Sequence, residues 1–202
     1  MNNVVKLGVL AEIYNGIQTG NDERYVSYEK KNKDWEKVIV GSDIKKYYIK
    51  WGGKYVYYKP AKLHSNTRED IFKTKEKIII RQTCDRIMGV YDDEEYFTLA
   101  STFVIKQFNK IISYKSLLSI LNSNLFLYLY RKLNNEEGRV LPQIKKKHIF
   151  DFPIITKFTE KPLIDIVNKI LEITKKLDYL EDPSKQTKVK ELESKIDQMV
   201  YK

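Results

Sequence analysis

A single cysteine, Cys84, stands among the 202 residues, so no internal disulfide can form and a reducing, cytoplasmic setting is expected. Long hydrophobic runs are missing as well. The longest apolar stretch, "LFLYLY" at 125–130, falls far short of the ~18–20 residues a membrane helix requires. "MNNVVKLGVL" has neither the basic start nor the extended apolar centre of a signal peptide. His64 and His148 stand apart from each other, and with one cysteine they make no zinc-binding set. Glycine is scarce: Gly52-Gly53 is the only close pair and G-x-G occurs nowhere, which excludes a glycine-rich phosphate loop.

Other catalytic patterns fail on the same test. None of the five prolines is adjacent to another, so the Asn-Pro-Pro-aromatic motif of amino-group DNA methyltransferases is absent. Glu193-Ser194-Lys195, with Asp178 or Asp182 upstream, formally matches the E-x-K end of a nuclease motif. It sits on the polar face of a helical pattern, where such spacing arises by chance. Cys84 lies beside Arg81, Asp85 and Arg86, yet no histidine stands in a motif relation to it, and a structural thiol is the simpler reading. The chain therefore carries no catalytic, cofactor-binding or metal-ligating set of its own.

What is abundant is positive charge, and it is unevenly placed. The net charge is +10. Residues 1–157 hold 28 Lys and Arg against 18 Asp and Glu, whereas residues 158–202 hold 9 of each. Within the first part, residues 45–86 hold 12 basic against 4 acidic side chains. Charge focused in this way attracts polyanions, nucleic acid above all, through phosphate neutralisation and counterion release.

The hydrophobic pattern divides at about the same place. "KVIVG" (37–41), "YVYY" (55–58), "KIIIRQ" (77–82), "IMGVY" (87–91) and "TFVIKQF" (102–108) are β-branched or aromatic runs bounded by turn residues, hence strands. The acidic run 92–95 between two of them reads as a solvated turn. From Ser113 the period changes to threes and fours through Leu117, Leu118, Leu121, Leu125, Phe126, Leu129 and Leu133, an amphipathic helix. Asn122-Ser123 interrupts it, with Ser123 able to cap a second helix. A short helix is expected to start near Pro142. Leu163, Val167, Ile170, Thr174 and Leu177, then Val189, Leu192, Ile196 and Met199, repeat at helical spacing across the break "EDPSK", giving a neutral helical hairpin. The pattern stops at Tyr201-Lys202 without a cap, so a continuation is expected. The fold class is α+β, a twisted mixed sheet module with packed helices over 1–157 followed by the hairpin over 158–202. The hairpin is expected to pack on the module or on a separate domain and to avoid phosphates. Truncation after Phe158 should then lower stability and leave the salt dependence of binding intact.

Within this frame the polar side chains suggest a binding surface. "YNGIQTGNDERYV" (14–26) places two turns close together and dresses them with Gln18, Thr19, Asn21 and Arg24. "KKYYIKWGGKYVYYKPAKLHSNTR" (45–68) interleaves lysines with six aromatics. Lys45 and Lys46 are phosphate candidates there, and Tyr47 offers a hydroxyl. About half of these aromatics should face inward. Arg81, Gln82 and Thr83 follow the isoleucine run, putting a guanine reader, an adenine reader and a hydroxyl at a strand end. Arg86 follows closely. Gln143 and Lys145 lie in "PQIKKKH".

Taken in order, "GIQTGNDERYV" (16–26), "VIVGSDIKKYYI" (38–49), "KIIIRQT" (77–83), "SLLSILNSNLFLYLYRKL" (116–133) and "GRVLPQIKKKHIFDFPI" (138–154) resemble the TaqI-like C-terminal specificity domain of adenine-specific DNA methyltransferases and fused restriction-modification enzymes. The closing "ELESKIDQMVYK" resembles the family's terminal helix. The resemblance implies a module that reads a short sequence in double-stranded DNA. An N-terminal methyltransferase domain, with S-adenosylmethionine, would flip and methylate an adenine. No cofactor is then expected in this chain. The alternative of a different class is half of a type I specificity subunit, and a further one is a single-strand or RNA-binding module using the tyrosines for stacking.

Overall fold

Three consecutive isoleucines, Ile78 to Ile80, are all fully buried, and their alternation about one strand separates two cores. The computed structural model describes residues 3–65, 68–84, 86–134 and 144–201. Its elements run β1 (Val4–Lys6), α1 (Leu7–Leu10), β2 (Ala11–Asn15), α2 (Asp22–Tyr25), β3 (Val26–Ser27), β4 (Trp35–Ile39), β5 (Ile44–Lys45), β6 (Tyr48–Ile49) and β7 (Tyr55–Tyr57). They continue with α3 (Glu69–Phe72), β8 (Lys77–Arg81), β9 (Gly89–Asp92), β10 (Phe97–Thr98), β11 (Thr102–Gln107), α4 (Tyr114–Asn122) and α5 (Asn124–Asn134). After the connection come α6 (Lys146–Phe150), β12 (Pro153–Ile155), α7 (Lys161–Thr174) and α8 (Pro183–Val200).

The central sheet is antiparallel, in the order β2-β11-β8-β9. Side chains alternate across a strand, so Ile78 and Ile80 join Ile13, Phe103 and Ile105 on one face. That face packs against Leu117, Leu118 and Leu121 of α4 and against Val167 and Ile170 of α7. On the opposite face, Val104 joins Val38, Val56, Phe72 and Phe97, and Ile79 joins Ile39 and Val90. These residues come largely from a second sheet, β10-β4-β7-β3, in which β10 runs parallel to β4 and the other pairs are antiparallel. The layers are therefore helices, sheet, sheet. This is the mixed α+β architecture that the pattern implies.

Local signals place the helices. Ser113 Oγ accepts the Ser116 N–H at 3.1 Å and caps α4. Ser123 Oγ accepts the Phe126 N–H at 3.1 Å at the start of α5, as its position predicts. Asn122 pins α4 to β9 through a reciprocal pair with Gly89: its amide donates to the carbonyl at 3.0 Å and its oxygen accepts the N–H at 2.8 Å. The expected helix start at Pro142 lies outside the described residues, and α6 begins at Lys146. Among the described residues, no helix is long and apolar enough to cross a membrane.

Two expectations are corrected. The acidic run 92–95 is not merely a solvated turn, because Asp92 is buried and ion-paired with Lys77 at 2.5 Å, both side chains fully enclosed. Leu177 does not continue the helical seam. The chain leaves α7 at Thr174 and Leu177 is fully exposed, so spacing alone overran the helix end.

Candidate nucleic-acid interface

The register of the central sheet brings the distant polar segments to one end. Asn15 at the end of β2 pairs with Phe103, and Arg81 at the end of β8 pairs with Thr102, at the start of β11. The loops that leave β2 and β8 therefore both meet the turn Leu99–Thr102 that enters β11. Gly16 N–H donates to the Thr102 carbonyl at 3.0 Å and Ile17 N–H to the Thr98 carbonyl at 2.7 Å. Gln82 N–H donates to the Ser101 carbonyl at 2.9 Å. A third loop joins them, since Gly41 N–H donates to Ser101 Oγ at 2.8 Å. The 144–145 segment is tied on by Ile144 N–H, which donates to the Gln82 carbonyl at 2.9 Å.

Close approach at this hub depends on glycine. A Cβ at Gly16 would meet the Leu99 carbonyl oxygen at 2.0 Å, and Gly20 has φ +78. Gly16→Ala should therefore displace the turn and cost about 1–3 kcal/mol, the usual range for overpacking. Thermal unfolding measures this, and a variant as stable as the parent would contradict the packing at the hub.

The structure sorts the predicted site residues into groups. Gln18 is exposed, its backbone held by His64 N–H at 2.9 Å and its side-chain oxygen 3.4 Å from His64 Nδ1. Gln82 is half-buried, and its side-chain amide has no hydrogen-bond partner among the described residues. Arg81 donates from Nε to the Thr83 carbonyl at 2.8 Å, which fixes the base of its guanidinium fork beside Gln82. Thr83 is half-buried next to it. Arg24 is exposed at the end of α2 and lies over the Tyr25 ring at 5.3 Å. Lys145, also exposed, precedes α6. Gln143 lies outside the described residues.

Two residues of the opening loop serve the loop itself. Thr19 is buried at 4% exposure, and its hydroxyl donates to Asp22 and accepts the Asn21 N–H. Asn21 Oδ1 caps α2 by accepting the Arg24 N–H at 3.0 Å. Tyr47 corrects the expectation of a hydroxyl offered to phosphate: it is 3% exposed, sits in the helical core at φ 59, and burial pushes its phenol well above the ordinary value. Of the six aromatics in 45–58, Tyr47 and Tyr58 face inward and the other four are half-buried.

Lys45 is exposed on the β5–β6 hairpin, whereas Lys46 and Arg86 face α8. There burial pushes the Glu193 carboxyl up, and Lys46 and Arg86 nearby pull it back down. These two cations are partly occupied by the hairpin. The hub also exposes Ser42 and half-exposes Ser101, which sequence reasoning missed. Only the turn chemistry of Gly41-Ser42-Asp43 could have marked that loop. Among the described residues, no group of three or more His, Cys, Asp or Glu is placed to hold a metal ion.

The sequence model of the TaqI-like C-terminal specificity domain matches residues 36–154. None of the curated proteins searched matches the chain. Among solved structures, the Type IIL restriction-modification enzyme MmeI, solved in complex with DNA, superposes with a TM-score of 0.62 at 13% identity, over 95% of this chain and 33% of that one. The type IIG restriction endonuclease BpuSI gives 0.53 at 13% identity, over 98% and 31%. The HsdS subunit from Thermoanaerobacter tengcongensis gives 0.53 at 13% identity, over 98% and 44%. The chain thus spans a third to under half the length of these structures.

Proposed function

The chain belongs to the TaqI-like C-terminal specificity domain family, and from that membership we propose how it works as a DNA target-recognition module. It reads a short duplex sequence through the loops gathered on the Leu99–Thr102 turn. Gln82, Arg81 and Gln18 address base edges, and Lys45 and Lys145 address phosphates. The convergence of the 16–24 and 81–83 segments on one turn carries this reading, because base readers must share one groove to read adjacent pairs. Gln82 matters most, since a half-buried amide with no side-chain hydrogen bond among the described residues is suited to a bidentate contact with adenine.

Methyl transfer to adenine, with S-adenosylmethionine, is assigned to a separate domain of a larger restriction-modification protein. This agrees with the share of the related structures that the chain spans. Exposed Val4 and Ile155, partners across β1–β12, are assigned to contact with that domain, together with Val9, Phe108 and Ile111 near α1. A role as half of a type I specificity subunit predicts a second copy of this module in the full protein, and an adenine methyltransferase predicts Asn-Pro-Pro-aromatic upstream.

Selection from a randomised duplex pool should return one short motif. Gln82→Ala should then cost about 1–3 kcal/mol on that motif and leave binding to a scrambled duplex unchanged. Titration of both duplexes measures it. Equal loss on both would make Gln82 structural and move the reading role to Gln18. A pool that returns no motif would defeat the proposed function.

A further inference from the structure

The geometry points to a second DNA contact: a phosphate-binding track of ring-held lysines on the outer face of β3–β7–β4, gripping the backbone that flanks the recognised bases. It rests on the duplex reading above. Alternation along these strands sends Val26, Val38 and Val56 into the core and turns Tyr55, Tyr57, Trp35 and Lys37 to the other side. Trp35 is the register partner of Tyr57, with ring centroids 5.6 Å apart. Tyr25, which precedes β3, stacks on Tyr57 at 6.2 Å and 9°. The result is a continuous aromatic floor.

Cations lie over this floor. Lys31 Nζ is 5.0 Å from the Trp35 ring, and Lys59 and Lys62 are 5.7 and 5.8 Å from the Tyr57 ring. Arg24 lies over Tyr25, and Lys37 lies 4.8 Å from the Trp51 ring next to Tyr55. Lys59 also pairs with Asp34 at 3.1 Å. Arg24, Lys31, Lys37 and Lys62 have no carboxylate in ion-pair range among the described residues. A free lysine head must lose rotamer freedom to meet a phosphate, whereas a stem lying along a ring has already lost part of it. The rings thus pre-order a row of positive charge in which, among the described residues, only Lys59 has a carboxylate partner.

The same contacts decide what the surface takes. An unpaired base needs an open aromatic face to stack on. Tyr57 is already surrounded by Tyr25, Trp35, Lys59 and Lys62, so the floor supports ammonium groups and leaves no platform for bases. Phosphate is the matching ligand. The track is also continuous with the reading loops, because the loop carrying Gln18 and Asn21 runs through Arg24 directly into Tyr25. A duplex seated on the hub would extend across this face.

The test compares two triple variants of the full chain that remove equal charge. Lys31→Gln/Lys59→Gln/Lys62→Gln should lower the slope of log affinity against log salt by about 2–3, at ~0.9 per phosphate contact. The loss should be the same on the selected and scrambled duplexes. Lengthening the flanking duplex should strengthen binding by the parent and not by this variant. Lys169→Gln/Lys176→Gln/Lys188→Gln, exposed on α7, on the connection after it and on α8, should keep the parental slope. An unchanged slope in the first triple, an equal fall in the second, or tighter binding of single strands than of duplex would each overturn the track. If the parent selects a motif and the track variant keeps the parental slope, this inference fails and the recognition reading stands. If the parent selects no motif, the recognition reading itself has failed.

Discussion

Removing residues 159–202 should abolish cooperative folding, not merely trim an appendage. Seven aliphatic side chains of α7 and α8 are buried in the helical core: Leu163, Val167, Ile170, Leu171, Val189, Leu192 and Ile196. At about 1.5–3 kcal/mol each, their burial amounts to on the order of 10–20 kcal/mol as an upper estimate. The total stability of a domain is about 5–15 kcal/mol. Specific bonds are lost as well. Thr174 Oγ1 donates to the Tyr47 carbonyl at 2.9 Å, and Asp197 accepts the Asn124 N–H at 2.7 Å at the start of α5. The chain ending at Phe158 should therefore show no sharp thermal transition and no near-ultraviolet circular dichroism, while Leu177→Ser, at a fully exposed position, should stay within about 0.5 kcal/mol of the parent. A cooperative transition in the shortened chain would show that the sheets fold without the hairpin. The expectation that truncation leaves the salt slope intact then loses its meaning, and exchange of hairpin lysines in the whole chain asks the same question cleanly.

The elements easiest to read in the sequence are those whose reasons are local. The isoleucine run of β8, the β-branched alternation of β11 and the Leu117–Leu118–Leu121 stripe each carry their own period, and Ser123 marks a helix start by its own hydroxyl. Ala11 and Ile13 in β2 alternate with exposed or half-exposed neighbours, but the strand is short and its pairing with β11 joins residues about ninety positions apart. That pairing decides which polar loops share one end of the sheet, so the hub at Leu99–Thr102 has no local signature. Tyr47 shows the opposite error. In a lysine-rich stretch it looks like a surface hydroxyl, yet φ 59 turns its ring into the core. The aromatic alternation at 55 and 57 was visible, while the lysine heads that cover it come from positions 31, 59 and 62. Charge composition reported that the surface is cationic, and only the fold reports where the cations are held.

Replacing Lys77 with methionine should destabilise the protein by about 3–5 kcal/mol, the cost of leaving a buried charge without its partner. Lys77 and Asp92 are cross-strand partners on β8 and β9. Lys77 Nζ reaches Asp92 Oδ2 at 2.5 Å and donates to the Phe72 carbonyl at 2.6 Å, both side chains fully enclosed. Asp92 also accepts the N–H groups of Glu94 at 2.9 Å and Tyr96 at 3.0 Å, and so organises the turn that carries Glu95 at φ 57. Burial pushes the Asp92 carboxyl up and the Lys77 ammonium down, and pairing opposes both. Without Lys77 the upward push on Asp92 loses its main counterweight. A carboxyl raised above its unfolded value contributes stability that is fully present below the unfolded value and is lost as pH rises through the folded one. The deficit of Lys77→Met should therefore be largest near neutral pH and shrink toward pH ~4, about the unfolded carboxyl value. At ~2–4 °C per kcal/mol for a chain of this size, the midpoint should fall by about 6–20 °C at pH ~7. Adding Asp92→Asn removes the orphaned charge and keeps a neutral acceptor for the turn, so the double variant should regain part of the loss. A midpoint within ~2 °C of the parent, or a deficit that grows toward acid, would show that the pair is not what holds β8 and β9 to the turn.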